Sequence, residues 1–142
     1  MLYNVEIYFD GVGKDKYDVL TQIKYSLSSR FKEKIEICSG IDYQEQAVNT
    51  GRLDDVLFTR DKQCLIISDW VILYIPVVSM WLASELWESH KEEKRVTVIS
   101  PLSNNLLIKA AANDFYASVD LFLSDVEKGR FDSLIMRHRV IK

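Results

Sequence analysis

Trp70-Val71-Ile72-Leu73-Tyr74-Ile75 places six apolar residues in a row, entered from Asp69 and closed by Pro76. A strand with one wet face alternates apolar and polar side chains, whereas a strand covered on both faces reads as a continuous apolar run. The run therefore predicts a central strand, with a helix over Met80 to His90 following it. Such a unit needs neighbours on both sides, and the rest of the chain supplies them.

Leu2 to Phe9 sets Val5, Ile7 and Phe9 against Asn4, Glu6 and Tyr8, which predicts a first strand. Asp10 to Lys14 breaks it with Gly11 and Gly13. Tyr17, Leu20, Ile23, Leu27 and Phe31 then recur at helical spacing. A short strand is expected over Lys34 to Cys38, and a polar loop over Ser39 to Gly51, longer than most connections in a compact domain. Leu53 to Ile67 reads as a helix with Val56, Leu57, Cys64 and Ile67 on its inner face. Beyond the central unit come a strand at Arg95 to Ile99, a short helix at Asn105 to Ala112 and a short strand at Phe115 to Ser118. A last helix, Val119 to Met136, is interrupted near Gly129, and Arg137 to Lys142 reads as a tail. Alternating strands and helices predict one α/β domain over residues 1–142, with about five mostly parallel strands and helices on both faces. Ligands in such sheets bind beyond the carboxyl ends of the strands. That rule selects the loops at Asp10 to Lys14, Ser39 to Gly51, Pro76 to Ser79 and Ser100 to Asn105.

With 142 residues, the chain can bury a core without disulfides or metals. Its net charge of −3 disfavours a nucleic acid polymer or an anionic membrane as partner. The apolar stretch from Trp70 to Ala83 is broken by Pro76 and Ser79 and is too short to cross a bilayer. Cys38 and Cys64 stand far apart in sequence and read as small buried residues of a reducing compartment. Met1 to Asn4 shows no signal-peptide character, so a cytoplasmic location is expected. His90 and His138 lack ligand-spaced companions, and no metal or other cofactor is expected. Phosphate-cradling and nucleophile-elbow motifs of the GxGxxG, GxxxxGK[ST] and GxSxG types are also missing.

Three short signals remain. Ser79 sits where a helix N-cap belongs, so the backbone N–H groups of Met80 and Trp81 could receive an anion. Glu85 follows about one and a half turns later, on a side shared with Trp81 and Glu88, while Leu82, Ala83 and Leu86 suit the sheet. By spacing alone the commoner arrangement is a capped helix with two solvated glutamates. Arg60-Asp61 is a charged pair that by itself suits a solvated helix face. Tyr8-Phe9-Asp10-Gly11 ends the first strand where glycine permits close backbone approach to a ligand.

Together these positions resemble the nucleoside 2-deoxyribosyltransferase-like superfamily, and most closely its 2'-deoxynucleoside 5'-phosphate N-hydrolases. That branch ends its first strand in Tyr-Phe-x-Gly, then carries an Arg-Asp pair, an apolar strand and a segment Ser-Leu-Gly-x-Gly-x-Glu. The counterparts are Tyr8-Phe9-Asp10-Gly11, Arg60-Asp61, Asp69 to Ile75, and Ser79-Met80-Trp81-Leu82-Ala83-Ser84-Glu85. The likeness runs from about Val5 to Leu134. It implies a flavodoxin-like or Rossmann-like doubly wound sheet and cleavage of a base–sugar bond in a (deoxy)nucleoside or its 5'-monophosphate. Glu85 would be the nucleophile that forms a glycosyl-enzyme ester, and Asp61 the acid that helps the base depart. Tyr8 would orient the glutamate. Ser79, with Gly11, Gly13 and Lys14, would hold the 5'-phosphate. The resemblance also implies a homodimer, with Trp87 and Phe115-Tyr116 as contact candidates. Base exchange between nucleosides and a catalytically silent nucleotide-binding module stay open beside hydrolysis. Two departures stand out: Trp81 and Ala83 occupy positions where the family keeps small residues, commonly glycine at the first. Val12-Gly13-Lys14-Asp15 replaces the usual Ser-Ile-Arg-Gly, and the negative Asp10 and Asp15 weaken attraction for phosphate.

Overall fold

The computed structural model describes residues 2–10, 14–39 and 64–140. Its strands are β1 (Tyr3–Tyr8), β2 (Ile35–Ser39), β3 (Trp70–Tyr74), β4 (Arg95–Ile99) and β5 (Asp114–Tyr116). They form one parallel sheet in the order β2-β1-β3-β4-β5. The helices are α1 (Lys14–Phe31), α2 (Met80–Lys91), α3 (Leu106–Ala111), α4 (Val119–Glu127) and α5 (Asp132–Val140); residues 64–67 are helical as well. The doubly wound α/β architecture expected from the alternation is thus observed.

The β3 run is buried because both faces of the sheet are covered. On one face Val5, Ile7, Trp70 and Ile72 meet Leu20, Ile23, Leu27 and Phe31 of α1 together with Phe122, Val126, Phe131 and Ile135. The Trp70 and Phe131 rings lie 4.7 Å apart, and Tyr116 meets Phe122 edge-on at 5.5 Å. On the other face Tyr8, Val71, Leu73, Val96 and Val98 pack against Leu65, Leu82, Leu86, Ile108 and Ala111.

Polar anchors fix the elements around these layers. Asp69 accepts from the Asn4 backbone N–H at 2.9 Å, tying the start of β3 to β1. Asp114 accepts from both nitrogens of an Arg95 fork at 3.0 and 2.6 Å and from Thr97 at 2.9 Å. Ser79, Asn105 and Ser118 each accept a backbone N–H three residues on, as N-caps do.

Several boundaries differ from expectation. The last helix is two, α4 and α5. Gly129 at φ +85° follows α4, and its N–H reaches Val126 O while Arg130 N–H reaches Asp125 O, a Schellman ending. A side chain there would meet Asp132 Oδ2 at 2.9 Å. Residues 137–140, expected in a tail, continue α5. Strand β5 starts at Asp114, whose charge is matched by arginine, and Ser118 belongs to the α4 cap. Ile67 is exposed while Leu65 is buried, so the inner face there is rotated from the expected one. Residues 40–63, with most of the predicted loop and helix, lie outside the described residues. Among the described residues no helix is long and apolar enough to cross a membrane.

Candidate active site

The strand order reverses between β1 and β3: from β1 the chain goes to β2 on one side, and from β3 it continues to β4 on the other. Loops leaving the carboxyl ends of β1 and β3 therefore diverge, and the crevice between them is the expected ligand position in such sheets. Tyr8, the last residue of β1, is fully buried and registers with Leu73 of β3. Phe9 follows, edge-on to Tyr74 at 5.9 Å. Asp10 then turns toward the start of α2.

At that helix start Ser79 is extended, and its hydroxyl accepts from Leu82 N–H at 3.1 Å while donating to the Asp10 carboxylate. The first turn of α2 has no acidic residue of its own. Asp10, reaching across from β1, supplies the negative charge that favours a helix N-terminus. The Lys16 ammonium donates to the Asp10 main-chain carbonyl. Capping, charge and β1–β3 adjacency thus converge on one spot.

Glu85 lies within the buried stripe Leu82, Glu85, Leu86 and Ser89, and is only 1% exposed. The expected separation of a Glu85 side from a Leu82–Leu86 side is not observed; at helical spacing the two merge, and Glu88 alone is the more solvated glutamate. The Ser89 hydroxyl donates to the Glu85 carbonyl at 2.6 Å. Buried ionisable carboxyls such as this one concentrate at functional sites. Trp81, one turn earlier, is half-buried against the cluster that contains Tyr8 and Leu82. Asp61, Gly11 and Gly13 lie outside the described residues, as does the side chain of Lys14, whose backbone begins α1. Among the dimer-contact candidates, Trp87 is half-exposed and stacks on His90 at 5.5 Å, Phe115 is exposed and Tyr116 is buried.

One cluster was not anticipated. Glu6 precedes Tyr8 by two residues, so it projects from the same face of β1, and it is fully buried. Its register partner on β2 is Cys38, and the Cys38 and Cys64 sulfurs approach to 2.7 Å. Burial pushes the Cys38 thiol well above its ordinary range, and the Cys64 thiol and Glu6 carboxylate add to that shift. The β1 alternation suggested that Glu6 was simply polar. Its actual signal was that both faces of a central parallel strand are covered, so a glutamate there must be buried.

No protein-family model and no curated protein matches this chain. Among solved structures, a 2-deoxyribosyltransferase from Bacillus psychrosaccharolyticus superposes with a TM-score of 0.68 at 16% identity, over 84% of this chain and 90% of that one. A conserved protein from Enterococcus faecalis V583 superposes with a TM-score of 0.64 at 13% identity, over 90% of this chain and 99% of that one. At such identities the likeness establishes a shared fold: this chain has the α/β architecture of the Bacillus 2-deoxyribosyltransferase.

Proposed function

We propose that this protein is an N-glycosidase of the nucleoside 2-deoxyribosyltransferase-like superfamily, cleaving the base–sugar bond of a (deoxy)nucleoside. The observation that carries the proposal is the buried Glu85 carboxyl in the helix that Ser79 caps at the β1–β3 switch point. Glu85 acts as the nucleophile at the anomeric carbon, forming an ester that water resolves with retention. Tyr8 orients it, Asp61 assists departure of the base, and Ser79 with Gly11, Gly13 and Lys14 holds the 5' end of the sugar. The Bacillus 2-deoxyribosyltransferase, described as a suitable biocatalyst for nucleoside synthesis, lends support through its fold.

The contact between Asp10 and Ser79 bears on the substrate. A carboxylate already engages the capping hydroxyl, so a 5'-phosphate would meet a like charge, whereas a 5'-hydroxyl could donate to it. The site is therefore suited to nucleosides ahead of 5'-monophosphates. Asp10→Asn should raise monophosphate turnover relative to nucleoside by about five- to tenfold. An unchanged ratio would remove Asp10 from substrate selection.

A second reading draws on Trp81, whose indole packs on the Tyr8 side of α2. If it closes the pocket between Glu85 and the ligand, the protein binds a nucleoside without turning it over. Incubation with deoxynucleosides and their monophosphates, followed by chromatography of free base, separates the two. We expect base release that Glu85→Gln lowers by at least roughly a thousandfold. Saturable nucleoside binding with no release, restored to turnover by Trp81→Gly, would favour the binding module. Release persisting in Glu85→Gln and Glu85→Ala would sink the nucleophile assignment.

A further inference from the structure

We propose that Glu6, Cys38 and Cys64 form a binding site for one thiophilic divalent cation of the Zn2+ class. One carboxylate oxygen and two sulfurs from three separate stretches of chain converge so that all three atoms lie within 4.8 Å of one another. Glu6 is fully buried, Cys64 is buried and Cys38 is partly so. This site is distinct from the glycosidic chemistry assigned to Glu85 and does not depend on it. It also departs from the expectation of a metal-free chain, which rested on the two histidines.

The donor set decides the class of ion. Two sulfurs and one carboxylate suit zinc, cadmium or cobalt, whereas magnesium and calcium take oxygen ligands. Three protein ligands leave a fourth tetrahedral position for water. The sulfurs stand 2.7 Å apart, well inside non-bonded contact. Two sulfurs sharing a zinc at about 2.3 Å each would sit roughly 3.7 Å apart, so binding asks the two side chains to part by about an ångström. A disulfide would instead draw them together to about 2.05 Å. The carboxylate favours the cation. A disulfide is neutral and makes no use of a carboxylate oxygen that lies within 4.8 Å of both sulfurs. A dication is ligated by all three groups at once when the two thiols give up their protons.

On binding, the two S–H bonds break and two protons leave to solvent. Two metal–sulfur bonds and one metal–oxygen bond form, and no group changes oxidation state. The bound ion joins β1, β2 and the helical residues 64–67 on the sheet face that carries Tyr8.

Titration of the whole chain, reduced and stripped with a chelator, tests this directly. With Cd2+ we expect a thiolate-to-metal charge-transfer band in the near ultraviolet that saturates at one ion per chain and is displaced by Zn2+. Cys38→Ser and Cys64→Ser should each weaken Cd2+ binding by more than about a hundredfold, and Glu6→Gln by at least about tenfold. Zn2+ should also raise the thermal midpoint of the unmodified chain, a readout that needs no variant to fold. The proposal is overturned by the absence of the band in reduced protein, or by an equal band in the Cys38→Ser, Cys64→Ser double variant. It is likewise overturned if both thiols are lost to a disulfide under mild peroxide even with Zn2+ present at saturation.

Discussion

The two faces of the sheet bury polar groups in different ways. On the face covered by α1, α4 and α5, aromatic rings surround Trp70, and a connected set of hydrogen bonds runs beside them. Trp70 donates to Thr97 at 2.8 Å, Thr97 to Asp114, and Asp114 is met by Arg95 and Arg130. Tyr116 donates to Asp125 at 2.7 Å. On the face covered by α2, α3 and residues 64–67, Glu6 lies beside two thiols and Glu85 interrupts an apolar stripe. Buried charge matched by arginine holds a fold in one arrangement. Buried ionisable groups of the second kind are the ones that cluster at functional sites. The proposals for Glu85 and for the Glu6, Cys38 and Cys64 cluster both fall on the second face, and the comparison is between that face and the arginine-matched one.

Phe131 gives the largest expected effect. It is fully buried against Trp70, so Phe131→Ala should cost about 3–5 kcal/mol in urea unfolding. A loss below roughly 1 kcal/mol would mean that the aromatic face is not the stabilising one. Glu85→Gln should cost less: an isosteric side chain keeps the packing and can still hydrogen-bond, so the loss should stay within about 1–2 kcal/mol. A large loss of stability in that variant would return Glu85 to a structural role and erase the contrast.

The smallest expected effect is at the edge of the first face. Arg30 bonds Asp132 through two nitrogens, at 3.1 and 2.6 Å, and this holds the Asp132 carboxyl below its ordinary range. A carboxyl lowered by folding stabilises the protein above its unfolded pKa, and that contribution fades as pH falls through the folded value. Thermal melts from neutral pH to below roughly 3.9 should therefore show a slightly shallower acid decline in Asp132→Asn. Both partners are largely solvent-exposed, so the difference is small; a steeper decline would contradict the sign.

The fold was legible where local chemistry decides it. The continuous apolar run marked β3 as doubly covered, Ser79 announced the start of α2, and Gly129 announced the break before α5. What stayed hidden depends on residues distant in sequence. Asp10 meets Ser79 across 69 positions and Cys38 meets Cys64 across 26, and neither contact leaves a trace in local periodicity. The strand was expected from Phe115 and begins at Asp114, whose arginine partners lie 19 positions before and 16 after it. Glu85 was legible as a candidate but not as a buried one, since hydropathy assigns a glutamate to water.

The central claim is that the Glu85 carboxylate forms a bond to the sugar. Incubation with a 2'-fluoro-2'-deoxynucleoside slows hydrolysis of a glycosyl ester, and rapid quenching with intact-mass and peptide mass spectrometry then locates it. The account predicts a gain equal to one fluorodeoxyribosyl group, on the peptide containing Glu85, and none in Glu85→Gln. Base release with no adduct, or with the adduct on another residue, would contradict it.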